Sequence, residues 1–172
     1  MMAWLSLKWL LLEIAQIPLL IVSFPLAPVL ATTAKDGNLP YALKWFQPAD
    51  YNLYGGKDWQ KDNPKFKNWW CMTQQMWRNP VCGFSNQIAA VDPEPPIVVY
   101  GDPLTSNRPG HAGYCYVRCK NSFMLYYVGS WLPGRCLRIV IGWKLYNEQD
   151  GSERTKKADH VLSINPFMGF DP

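Results

Sequence analysis

The sequence predicts an α+β protein: an N-terminal apolar, transmembrane-like helix, then a small antiparallel β-meander packed on one or two helices. Three observations predict it. From Ile14 to Ala34 no residue is charged, and 21 residues suffice to cross a hydrocarbon core of about 30 Å as a helix. Between Lys67 and Arg78, residues Trp69, Trp70, Met72, Thr73, Met76 and Trp77 fall at the spacings of one apolar helix face. From Arg135 to Tyr146 the chain alternates. Leu137, Ile139, Ile141, Trp143 and Leu145 lie on one face of a strand, with Arg138, Lys144 and Tyr146 opposite.

The N-terminal helix begins near Trp4. Pro18 is expected to kink it, and Pro25 and Pro28 to break it. Ser6, Glu13, Gln16 and Ser23 share a sector of about 100°, a polar stripe suited to a partner helix, a wet cavity or headgroups. Three readings stand side by side: a retained anchor, a secretory signal ending at Val29-Leu30-Ala31, and a helix lying in the interface or buried. The anchor reading makes membrane lipid a partner through residues 9–31. It divides the chain into an anchor helix (1–31), a linker with an aromatic surface loop (32–66) and an α+β domain (67–172).

A chain of 172 residues has room for that anchor and one ordinary domain. With 48% hydrophobic and 15% aromatic residues, disorder is excluded for most of it. Net charge is +4, and the bases are spread out, with one loose cluster at Lys57, Lys61, Lys65 and Lys67. That lacks the dense basic stripe of a nucleic-acid binder, so nucleic acid is not an expected partner.

The segment Asp50–Pro64 reads as an extended surface loop carrying Tyr51, Tyr54 and Trp59. These aromatics either tuck onto the domain or meet headgroups. Beyond the helix ending at Asn79-Pro80, a short helix follows to Ala90, and Asp92–Pro96 forms a rigid connector. Strands are expected at Ile97–Tyr100, Tyr114–Cys119, Phe123–Val128 and Arg135–Tyr146, with an added edge strand at Val161–Ile164. On the second, Tyr114, Tyr116 and Arg118 face one way, and Cys115, Val117 and Cys119 the other.

The words Trp45-Phe46-Gln47, Asp50, Trp69-Trp70, Trp77-Arg78-Asn79-Pro80 and Gly83-Phe84 resemble a pattern in small uncharacterised proteins of tailed bacteriophages. The resemblance covers about a quarter of the chain. It implies a viral origin and a role at the host envelope or in the virion, and no catalytic activity.

The one metal-like spacing is His111-x3-Cys115-x3-Cys119, with Cys136 as a further thiol. Residues four apart on a strand stand about 13 Å apart, so they cannot share an ion or a disulfide. No nucleophile turn, phosphate-cradling glycine loop or His-Glu-x-x-His motif occurs. No enzyme activity, cofactor or metal is expected. The expected function is protein–protein contact by a membrane-anchored viral protein at the host inner membrane. Its partner would be an envelope protein or a second copy of itself. The contact residues would be Tyr51, Tyr54, Trp59, Tyr114, Tyr116 and Arg118, types that dominate interface energetics. A soluble virion component, its helix buried between subunits, is the alternative.

Overall fold

The computed structural model describes residues 2–48, 52–55, 60–61, 64–108, 110–146, 151–154 and 156–169. Helix α1 (Met2–Thr33) is followed by a 3-10 turn (Tyr41–Phe46), helix α2 (Trp69–Arg78) and helix α3 (Cys82–Gln87). Five strands complete the chain: β1 (Val98–Gly101), β2 (Gly113–Arg118), β3 (Phe123–Leu132), β4 (Arg135–Trp143) and β5 (His160–Gly169). They form one antiparallel sheet in the order β1-β2-β3-β4-β5, each strand beside its chain neighbour. The architecture is thus the α+β class with an N-terminal apolar helix and a meander.

The chain forms two compact units. One contains Met1–Leu10 and Ala90–Pro172, the other Leu11–Ala89. The boundaries expected near residues 31 and 66 both fall inside the second unit. There the α1 residues Ala27, Leu30 and Ala31 share a core with Leu39, Leu53, Met72 and Met76. The segments on either side of those boundaries bury each other's apolar faces, so the polar stretch between them does not separate domains.

The expected break at Pro25 and Pro28 does not occur: α1 runs through Pro18, Pro25 and Pro28 to Thr33. A proline in a helix removes the N–H that the carbonyl four residues back would accept. For Pro28 that carbonyl belongs to Phe24. The indole Nε1 of Trp77 donates to the Phe24 carbonyl at 2.9 Å. Trp69 Nε1 donates to the Pro28 carbonyl at 2.7 Å. At Pro28 the Trp77 indole of α2 thus stands in for the missing backbone donor, while Trp69 adds a second tie between the helices.

Helix α2 ends at Arg78 as expected and starts two residues later than Lys67. Asn68 caps it, its side chain accepting from Cys71 N at 2.9 Å. Met72, Thr73 and Met76 are buried as the spacing predicted, along with Cys71 and Gln75. Trp69 and Trp70 are exposed instead. Trp69 is held outside by its bond to Pro28, and Trp70 stands edge-on to Trp77 with centroids 5.4 Å apart.

Helix α3 begins on Val81, whose φ of 57° lies in the left-handed region that β-branched residues avoid. Burial holds it there: Val81 is fully enclosed with Phe84 and Ala89, against Leu12, Leu19 and Leu20 of α1. Within α3, a Cβ on Gly83 would run into the Lys44 carbonyl oxygen.

Replacing Trp77 by Phe keeps an aromatic ring, smaller than the indole, and deletes the donor to Phe24. We expect a loss of about 1 kcal/mol, read by urea unfolding. Gly83→Ala should cost more, about 2 kcal/mol by the same measurement, because its clash is with backbone.

Candidate functional site

The sheet has two unlike faces. Its inner face is closed. Cys115 and Val117 of β2 lie beside Tyr126 and Met124 of β3, which in turn pair with Val140 and Gly142 of β4. All six are buried. The thiols and valine of β2 point inward as the alternation predicted.

The outer face begins with Tyr100 of β1, stacked on Tyr116 with centroids 6.0 Å apart. Tyr114 pairs with Tyr127, Tyr116 with Leu125, Leu125 with Ile141 and Tyr127 with Ile139. On β5, Leu162 pairs with Ile141 and Ile164 with Ile139. This makes a continuous surface of tyrosine, leucine and isoleucine across five strands. Much of it is open: Tyr114 is 53% exposed and Ile164 is 62% exposed. A sheet face of this kind normally meets a second layer.

The alternation on β4 was expected to supply one core-facing row. The structure corrects that. Leu137, Ile139 and Ile141 are half-buried on the outer face, whereas Cys136 and Val140 on the opposite face are fully buried. Only the end of the row is enclosed: Trp143 and Leu145 have no exposed surface. Trp143 is covered by Phe123 edge-on at 5.8 Å, His160 at 5.7 Å and the Lys8 ammonium at 5.4 Å from its ring centroid. The first turns of α1 do this covering. Trp9 lies 6.0 Å from the His160 ring, and its Nε1 donates to the Val161 carbonyl at 3.3 Å. The strand pattern alone could not show which side α1 would cover.

Of the contact residues expected from the sequence, Tyr114, Tyr116 and Arg118 share this outer face. Tyr54 does not join them. It is half-buried in the other unit, beside the core of Leu39, Leu53 and Met76, with its ring against Gly37. Tyr51 and Trp59 lie outside the described residues. Sequence reasoning missed Tyr100, Tyr127, Leu162 and Ile164. The signal was present in the β-branched and aromatic alternation, but assigning it to the open face required the pairing register.

The second exposed apolar surface is α1. At 100° per residue, Trp4, Leu7, Leu11, Ile14, Ile17, Ile21, Val22, Phe24 and Val29 fall within an arc of about 200°. All are exposed, Ile21 to 68%. The opposite arc packs on protein. It holds Leu12, Leu19, Ser23, Ala27 and Leu30, and Gln16, whose Oε1 accepts from Ser85 Oγ at 3.4 Å. The polar stripe therefore faces protein at Gln16 and Ser23, while Ser6 is exposed. By length and composition α1 is able to cross a membrane.

The thiols and histidines are arranged for structure. All five cysteines are thiols, none joined in a disulfide. Burial pushes the Cys71 and Cys115 thiols up, for Cys115 with help from Asp102. That disfavours the thiolate that a nucleophile or metal ligand needs. Cys119 Sγ lies 2.7 Å from Ser122 Oγ, closing the β2–β3 turn. His111 Nδ1 meets Asp102 Oδ2 at 3.1 Å rather than a thiol. The Leu104 N–H and then His111 hold the Asp102 carboxyl below its usual range. Among the described residues, no group of three or more His, Cys, Asp or Glu is placed to hold a metal ion.

The fold and its surfaces define a small α+β protein with a two-sided apolar N-terminal helix and a sheet bearing an open aromatic face. Over residues 1–171 the chain matches the model described as Family of unknown function (DUF7338), and it belongs to that family. No curated protein and no solved structure matches it.

His160 makes the α1–sheet contact pH-dependent. Burial, only partly offset by a hydrogen bond with the Trp9 backbone, holds its pKa down at about 4, against 6.5 for a free imidazole. The unfolded chain therefore takes up a proton below 6.5 that the folded chain refuses until about 4. Its contribution is intact above pH 6.5 and is lost progressively as pH falls to about 4. Melting temperature measured across that range should fall less steeply in His160→Phe than in the wild type.

Proposed function

We propose that this is a membrane-anchored, non-enzymatic protein that acts by protein contact, with α1 seated in the lipid interface. The observation carrying the reading is the outer half of α1. It is apolar from Trp4 to Val29, open to its surroundings, and continuous along a helix of 32 residues, about 48 Å long. In water that surface would be costly to expose.

The packing favours a helix lying along the membrane surface over one crossing it. Crossing would carry α2 and α3, packed on the other half of α1, into hydrocarbon together with Gln74, Gln75, Arg78 and Gln87. Each would add a polar group to a medium that cannot hydrogen-bond it. A half-embedded helix puts apolar residues in lipid and leaves the polar partners outside.

The outer sheet face, with Tyr100, Tyr114, Tyr116, Tyr127 and Arg118, is the proposed protein-contact surface. Its composition is that of interface cores. The partner is an envelope protein or a second copy of the chain. The likeness to tailed-phage proteins supports a setting at the host cell's inner membrane. The raised thiols at Cys71 and Cys115 support the absence of covalent catalysis.

Full-length tagged protein should remain in the membrane pellet through an alkaline carbonate wash. Ile14→Lys combined with Ile21→Lys, both on the exposed arc, should release most of it while leaving the fold intact by circular dichroism. Release of the wild type would instead favour a soluble assembly in which a neighbouring subunit covers the same arc.

A further inference from the structure

The two edges of the sheet are unlike. β1 has four residues, ends on Gly101 at φ 88° and is soon followed by Pro103. β5, at the other edge, runs for ten residues without Asp, Glu, Lys or Arg. Proteins usually blunt such an edge with lysine or proline, because its unpaired backbone is a template for another strand. In β5 only Pro166 does so, and it stands past the middle of the strand.

The pairing decides which backbone groups of β5 stay open. Successive residues of an antiparallel strand turn their N–H and C=O to opposite sides. Lys144 N donates to the Asp159 carbonyl at 2.9 Å, one step beyond the pair Trp143–His160. Val161, Ser163 and Asn165 therefore turn their backbone toward β4, and Leu162 and Ile164 turn theirs away. The β2–β3 turn gives the same phase. Cys119 N donates to the Ser122 carbonyl at 3.0 Å; carried across the register, this directs Ile139 and Ile141 toward β3 and Val140 and Gly142 toward β5. The open stretch is bounded on both sides. Before it, the Trp9 indole reaches the Val161 carbonyl. After it, Pro166 has no N–H, and Phe167 N donates to the Asn165 side chain at 3.0 Å. In between, nothing among the described residues meets the outward backbone of Leu162 or Ile164.

Two outward residues flanking one inward residue make a pattern that a two-fold axis maps onto itself. With the axis at Ser163, Leu162 of one copy lies opposite Ile164 of the other, and each such pair exchanges both of its hydrogen bonds. The side chains of Leu162 and Ile164, 47% and 62% exposed, then meet across the axis on one face. On the opposite face Ser163 meets Ser163 of the other copy. No charge on β5 repels its own copy or calls for a partner of opposite sign. We propose that β5 pairs antiparallel with β5 of a second copy of this chain across a two-fold axis at Ser163, joining two five-stranded sheets edge to edge. Pairing over residues 161–165 covers less than the roughly 1,200 Å² of a stable complex, so the dimer is weak and reversible, with a Kd on the order of 100 µM. The proposal depends neither on a partner for the outer face nor on the seating of α1.

Cysteine cross-linking of the full-length protein tests the register, in enough nonionic detergent that copies do not share a micelle by chance. Ser163 faces its own copy as a non-hydrogen-bonded pair, with Cα atoms about 4.5 Å apart and within disulfide reach. Val161 lies on the same face as Ser163 but stands about 13 Å from its own copy, out of reach. Under mild oxidation near the Kd, Ser163→Cys should yield covalent dimer, and Val161→Cys no more than the wild type, whose thiols are mostly buried. Equal yields from the two variants would overturn the proposal.

A charge exchange tests the same register without a thiol. Ile164→Lys or Leu162→Glu alone sets a charge opposite an apolar side chain and should weaken the dimer about tenfold by sedimentation equilibrium. Mixed in equal amounts, the two variants bring the introduced charges opposite each other, and association should return. If it does not return while both variants are folded by circular dichroism, the register is wrong. Should either variant fail to fold, hydrogen exchange of the wild type decides. The amides of Leu162 and Ile164 should gain protection as protein concentration rises, while that of Ser163, paired with Val140, is protected throughout. Exchange at Leu162 and Ile164 that ignores concentration rules the proposal out. Membrane pelleting reads α1 and these measurements read β5, so either can fail without the other.

Discussion

The indole donors of α2 are the constraint on which the second unit depends. An uninterrupted helix with prolines at 18, 25 and 28 is not expected from local preferences. At Pro28 another element supplies the donor that proline lacks, because Trp77 Nε1 meets the Phe24 carbonyl. That bond also fixes where α2 lies along α1, which brings Met72 and Met76 against Ala27, Leu30 and Ala31. The small side chains of α1 at those positions let the helices approach, and the tryptophans bridge at the rim. Helix continuity and helix packing are therefore one event.

The same two-sidedness recurs in the first unit. The sheet has a closed face of thiols, valine and methionine and an open face of tyrosine and branched aliphatics. At one end the open face is sealed by Lys8 and Trp9, which enclose Trp143 and His160. Neither α1 nor the sheet uses all of its apolar surface internally. In a soluble monomer that surplus is a liability, and in a protein that lives against a membrane or a partner it is the working surface.

Polar groups are placed with similar economy. Asn121 takes up the backbone of the proline connector, accepting from Glu94 N at 3.1 Å and donating to the Asp92 carbonyl at 2.8 Å. Asp92 in turn accepts from Lys157 N at 2.8 Å. These bonds hold the connector to the sheet's loops. The cysteines sit mainly in apolar surroundings and serve as small core residues.

The sequence by itself determined the kinds of element and most of their positions. Period-3.6 spacing placed the helix ending at Arg78, and alternation placed β2 and β4 within two or three residues of their ends. It also determined that α1 is apolar and carries a polar stripe. Three things were decided only in the tertiary structure. At Pro28, the donor to the Phe24 carbonyl that lies four residues back comes from Trp77, 53 residues away. Which face of β4 would be buried depended on its neighbours, because both faces are apolar enough to qualify and burial is a property of what packs opposite. The gathering of Arg138, Lys144 and Arg154 around one small cavity depended on the segment after β4 folding back over the inner face. Local patterns carry information about a residue's own backbone. They carry none about the partner that arrives from elsewhere in the chain, and here those partners decide continuity, burial and charge.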